Sequence, residues 1–89
     1  MLHFNITITG KVQGVFFRAS TKQMADLLGV FGFVQNNPDG SVYVEVEGDE
    51  DRLVKFIQYC HHGPDLAEVS YVSVNAGKFK NFTLFEQIR

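Results

Sequence analysis

The sequence predicts an α+β sandwich in which two helices cover one face of a mostly antiparallel sheet of four or five strands. Three observations carry this. Leu2 to Thr9 alternates apolar and polar residues, as a strand with one covered face does. Two segments, about Arg18 to Leu28 and the stretch after Gly48, repeat apolar residues at helical spacing. Between two further alternating segments lies Asn37-Pro38-Asp39-Gly40, where Pro38 sets φ and Gly40 accepts a positive φ, so the pair reads as a hairpin. The resulting order, β-α-β-β-α-β with a final edge strand, is the ferredoxin-like split β-α-β arrangement.

Each element follows from its own residues. In the first strand Leu2, Phe4, Ile6 and Ile8 share the covered face, and His3, Asn5, Thr7 and Thr9 share the outer one. A loop with two glycines, Gly10 to Phe17, leads into the first helix. Ala19, Met24, Leu27, Leu28 and Phe31 form its apolar stripe, and Gly29 stops it. The second strand is about Gly32 to Asn36. The third is Ser41 to Glu47, with Val42, Val44 and Val46 inward and Tyr43, Glu45 and Glu47 outward. Asp49, Glu50 and Asp51 open the second helix, where the macrodipole favours anions. Leu53, Phe56, Ile57 and Cys60 make its buried stripe, and His61 to Pro64 end it. A fourth strand over roughly Ala67 to Val74, a turn at Gly77 and a last strand over Phe79 to Phe85 complete the chain.

Bulk properties narrow the function classes. With 89 residues the chain is expected to form one domain, 1–89, with a modest core. The formal net charge of −2 argues against an extended nucleic-acid surface, so any phosphate binding must be local. A single cysteine, Cys60, permits no intramolecular disulfide. Met1 to Thr9 has neither the basic nor the continuous apolar region of a signal peptide, and no apolar run approaches a membrane span. A soluble, monomeric, cytoplasmic protein is expected.

Chemistry concentrates in Gly10-Lys11-Val12-Gln13-Gly14-Val15-Phe16-Phe17-Arg18, between a strand and a helix start. Glycines there let backbone N–H groups converge, and the helix start adds unpaired N–H groups and partial positive charge. Arg18 can fork two hydrogen bonds onto phosphate oxygens. No Gly-Lys-Ser/Thr ends the loop, so it is not a Walker motif. The same features also describe an ordinary β-to-α turn with an exposed arginine. Asn36, at the end of the second strand, carries an amide able to hold a water. Asn37 beside it has the same chemistry, and residue type does not choose between them.

Two stretches together carry a family resemblance. Ile8 to Arg18 resembles the phosphate-binding loop of the acylphosphatase family. Gly32-Phe33-Val34-Gln35-Asn36, followed by Gly40, Val42 and Gly48, resembles that family's second motif at its spacing, with Phe33 where the family also uses Trp or Tyr. The resemblance spans the whole chain. It implies that Arg18 binds the substrate phosphate and that Asn36 orients the attacking water. It implies further that Gln13, Gly14, Val15, Phe16, Phe17 and Arg18 form the phosphate-binding loop, with a positive φ expected at Gly14. The implied substrate is a small acyl phosphate, with inorganic phosphate or sulfate as product-like ligands and neither metal nor cofactor. The register of the tail from Phe82 to Arg89 is left open.

Other features read as structural. Cys60-His61-His62 are adjacent on a helix and point about 100° apart, so they do not converge on one metal. Asp49 to Asp51 lacks the alternating ligands of a calcium loop. His3 is expected on the outer strand face. The principal alternative is a non-catalytic ferredoxin-like RNA- or anion-binding module. Phe31-Gly32-Phe33-Val34 echoes the centre of an RNP1 motif, but Gly29-Val30 and Asn36 break its flanks.

Overall fold

The computed structural model describes all 89 residues. In chain order the elements are β1 (Leu2–Lys11), α1 (Phe17–Leu28), β2 (Phe31–Asn36), β3 (Val42–Gly48), α2 (Glu50–His62), β4 (Glu68–Ala76) and β5 (Phe85–Gln87). The strands form one sheet in the order β4-β1-β3-β2-β5. β1 pairs antiparallel with β3 and β4, and β2 with β3. Only β5 runs parallel to its neighbour, β2, with Gly32 opposite Phe85 and Val34 opposite Gln87. This is the expected ferredoxin-like α+β arrangement.

Alternation and helical periodicity meet in a single core. Ile6, Ile8, Val34, Val42, Val44 and Val46 from the sheet pack with Ala25, Leu53, Phe56 and Cys60 from the helices, and all are fully buried. Burying one such aliphatic or aromatic side chain stabilises the fold by roughly 1.5–3 kcal/mol. Gly32 has φ 148°, and a β-carbon there would overlap the Glu45 carbonyl, so only glycine lets β2 lie this close to β3.

Three expectations are corrected. The buried side of α1 is Phe17, Thr21 and Ala25, flanked by half-buried Met24 and Leu28; Ala19 and Leu27 are exposed, and Phe31 belongs to β2. The stripe turns because the Thr21 hydroxyl donates to the Phe17 carbonyl at 2.7 Å, which makes a polar residue acceptable inside.

The segment from Phe79 to Leu84 is not a strand. The Lys80 and Phe82 N–H groups donate to the Glu47 carboxylate instead of to a ladder, and Asn81 between them takes φ 60°. Strand pairing begins only at Phe85.

This segment straps the outer face of the sheet and changes the status of His3. The residue faces outward as expected but is only 4% exposed, and Glu47 beside it only 1%. Nδ1 of His3 lies 2.7 Å from Glu47 Oε2, and Nε2 lies 2.8 Å from Asn5 Oδ1. Lys80 Nζ donates to Glu45 at 2.8 Å. Phe82 closes the strap, stacked on His3 and edge-on to Phe33.

Candidate active site

β1 delivers the chain to Val12, which is buried, and residues 12–17 then turn into α1. The loop is pinned by inserting three of its residues. Val12, Val15 and Phe17 enter the core, while Gly14 and Phe16 stay outside. Gly14 has φ 73°, in line with the positive value expected there. Phe16 also adopts the left-handed region, with φ 63° and ψ 23°. For a residue with a β-carbon this costs roughly 1–2 kcal/mol. Gln13 ties the loop to the hairpin, since its side-chain amide donates to the carbonyls of Asn37 and Ser41, each at 2.8 Å.

A concavity of about 230 Å³ results, lined by Val12, Gly14, Phe16, Phe17, Arg18, Ala19, Asn36 and Gln87. Arg18 is the one ionisable residue among these eight, and none is acidic. α1 begins here without a side-chain cap and without an acidic residue in its first turn. Its leading N–H groups and partial positive charge are therefore available to an anion. A chain of net charge −2 thus carries a locally positive depression.

Segments outside the loop complete the wall. Arg18 Nη1 donates to the Ile88 carbonyl at 2.8 Å, which fixes one arm of the guanidinium and leaves the other donors of the fork. Asn36 ends β2, and its Oδ1 is buried with no hydrogen-bond partner in the protein. Buried polar atoms rarely lack a partner, and such an acceptor costs about 1–3 kcal/mol if nothing bonds to it. Asn37 is engaged in the opposite sense. Its Nδ2 donates to Ser41 Oγ at 3.0 Å, its N–H to the Ser41 carbonyl, and its own carbonyl accepts from Gly40 and Gln13. Geometry thus separates two asparagines that residue chemistry leaves equivalent: one builds the turn and the other faces the concavity.

Of the residues implied by resemblance, Gly14, Phe16, Phe17, Arg18 and Asn36 come together on the wall of one depression. The side chains of Gln13 and Val15 do not: the first grips the hairpin and the second fills the core. Sequence reasoning missed Gln87 in the wall and the Ile88 carbonyl behind Arg18. Both depend on the parallel pairing of β5 with β2, for which a three-residue edge strand leaves no periodic signal. Ala19 is missed for a simpler reason, having been counted with the core. The position directly after Arg18 on an N-terminal turn is the signal that could have found it.

Comparison with known proteins identifies the family. The family model described as Acylphosphatase matches residues 4–86. An acylphosphatase of Nocardioides sp. is 49% identical over 73 residues, covering 82% of this chain and 74% of that one. One from Archaeoglobus fulgidus is 42% identical over 86 residues, covering 97% of each. The crystal structure of acylphosphatase from Bacillus subtilis superposes with a TM-score of 0.97 at 31% identity, covering 100% of both chains. With matches in sequence and in fold that run nearly its full length, the chain belongs to the acylphosphatase family of hydrolases.

Proposed function

We propose that the protein hydrolyses acyl phosphates without a metal, with Arg18 and the loop from Gln13 to Arg18 binding the phosphate and Asn36 holding the attacking water. The observation that carries this is that Asn36 and Arg18, from distant segments, line one concavity beside the uncapped start of α1. A water hydrogen-bonded to the Asn36 side-chain amide keeps a lone pair free to attack.

The step balances with the residues at hand. The substrate phosphate docks against the loop N–H groups and the Arg18 fork. Water oxygen bonds to phosphorus in line as the bond from phosphorus to the acyl oxygen breaks. The carboxylate leaves with the electron pair. None of the lining residues is a His, Cys, Asp or Glu, so the water proton passes to a phosphoryl oxygen of the substrate. A carboxylate is stable as an anion, so its departure needs no general acid. Catalysis is then positioning and charge stabilisation.

On this reading the protein works as a cytoplasmic monomer. No helix is long and apolar enough to cross a membrane. The alternative RNA-binding reading would use the outer sheet face, where such modules stack bases on aromatic rings. Here Phe33 lies beneath Phe82 and beside Tyr43, with buried Glu45 and Glu47 on the neighbouring strand. That surface is occupied and acidic.

The test is hydrolysis of benzoyl phosphate by chelator-treated protein, beside Asn36→Ala and Asn37→Ala. Wild-type turnover should survive the chelator. Asn36→Ala should lose about 10²–10³-fold in kcat, the usual effect of one preorganised group, with thermal stability kept. Asn37→Ala should chiefly lower stability, because it removes a turn bond. The reverse pattern would reassign the water to Asn37.

A further inference from the structure

We infer that Phe16 is a specificity-determining residue that recognises the acyl half of the substrate and favours aromatic over small acyl groups. The inference rests on the phosphate lying in the loop as proposed above.

Phe16 and Asn81 are the two non-glycine residues with positive φ. Asparagine tolerates that conformation; phenylalanine adopts it only under strain. The bend of the loop accounts for the backbone, but glycine would meet it without strain, as Gly14 does two residues earlier. The phenyl ring is therefore unexplained by the turn. It is also unexplained by the core. Phe16 is 76% exposed, whereas Val15 and Phe17 on either side are buried. Its ring has no aromatic partner, as is true of Phe4, Phe31 and Phe79, but of the nine phenylalanines it is the most exposed. The chain thus holds a large apolar ring in water, on a strained backbone, at the edge of the depression it helps to line. Strain of this kind gathers where a ligand is recognised.

The size of the depression gives the ring a task. About 230 Å³ is less than the ~300–1,000 Å³ of pockets that enclose a whole organic ligand. Phosphate and the attacking water occupy the polar depth near Arg18 and Asn36. The acyl group must then extend over the rim. Of the apolar lining residues, Val12 and Phe17 are buried, which leaves Phe16 and the small Ala19 as the side chains presented there. A ring at that place offers a flat face to an aryl or extended acyl group and little to a methyl group.

The experiment compares kcat/KM for benzoyl phosphate and acetyl phosphate in the wild type, Phe16→Gly and Phe16→Asn. Both replacements suit a positive φ, so both should fold, and they differ in backbone freedom. The benzoyl-to-acetyl ratio should fall about 3–10-fold in each, the size of one aromatic contact. A ratio equal to the wild type's, or a parallel loss on both substrates, overturns the proposal while acetyl phosphate turnover upholds the hydrolytic reading. A fall in Phe16→Gly alone assigns the effect to loop flexibility and also overturns it. No turnover of either substrate by folded wild-type protein overturns the hydrolytic reading and this proposal with it.

Discussion

The two helices begin in opposite ways. α2 starts at Asp49 and carries Glu50 and Asp51 in its first turn. α1 starts at Phe16 with no side-chain cap and no acid in its first turn. The backbone demands are equal, since each helix start presents unpaired N–H groups and partial positive charge. α2 places its own carboxylates beside that charge on an exposed surface. α1 leaves the charge unanswered and adds Arg18 to it, in the wall of a concavity. A helix start that the chain does not neutralise is one that a bound anion can neutralise. The net charge of the chain gives no hint of this difference.

The polar clusters repeat the contrast. On the outer face His3, Glu45, Glu47 and Lys80 satisfy one another under the strap. At the site Asn36 Oδ1 is buried with no partner. A saturated buried network is structure; an unsaturated one beside a concavity is a place for a ligand.

The largest expected effect breaks the contrast at its charged centre. Arg18→Ala should lower kcat/KM for benzoyl phosphate by more than about 10³-fold, exceeding the usual loss of one donor because charge and two bonds go together. Its thermal midpoint should stay near the wild type's. Near-normal turnover would remove Arg18 from the mechanism.

Next comes the saturated cluster. Glu47→Ala leaves buried His3 and two half-buried backbone N–H groups without their acceptor, and should cost about 3 kcal/mol in urea unfolding. The same carboxylates set an acid limit. Burial pushes Glu45 and Glu47 up, but hydrogen bonds outweigh it and hold both below the ordinary value of 4.5. For Glu45 they come from Lys80 and Tyr43; for Glu47, from the Lys80 and Phe82 N–H groups and from His3. The folded protein therefore binds these protons less tightly than the unfolded chain. Their contribution is full above about pH 4.5 and is lost as pH falls through the lowered folded values. Urea midpoints followed downward from pH 6 should drop in the wild type and flatten in Glu47→Gln.

Making α1 resemble α2 should have a moderate effect. Ala19→Asp puts a carboxylate in the first turn and in the wall. It should raise KM about 10-fold by competing with phosphate, while adding a few tenths of a kcal/mol to stability. An unchanged KM would show that the start of α1 does not meet the anion. The smallest effect is the converse. Asp51→Asn should lower stability by about 0.3–1 kcal/mol with no change in turnover, and salt should shrink the difference.

Cys60 marks where reading the chain was enough. Its place on the apolar stripe of α2 puts it inward, and in the structure it is fully buried, with the thiol pushed up to about 12 by desolvation. His61 and His62, next along the helix, are exposed. The β2–β3 hairpin was equally legible, because its turn chemistry and alternation agree with one register.

The tail shows the opposite. Phe79 to Phe85 has strand-like composition, yet the N–H groups of Lys80 and Phe82 find a better acceptor in a carboxylate more than thirty residues away in sequence. Composition measures a segment's fit to a pleated surface, not which acceptor its backbone will meet. His3 was placed on the correct face with the wrong surroundings for the same reason, since the strap that buries it comes from the other end of the chain.

By itself, then, the sequence determined every element but the last strand, their order, the inward faces of β1, β3 and α2, and the loop and asparagine pair that supply residues to the concavity. Those depend on local periodicity, on turn residues and on glycine, and they act within a few residues of one another. Tertiary structure alone decided which asparagine faces the concavity, that Gln87 and the Ile88 carbonyl reach Arg18's side of it, and that a histidine on the outer face is buried. Each of these rests on a contact between segments far apart in the chain, and the partner in such a contact is set by how the sheet edge closes and not by the residues beside it.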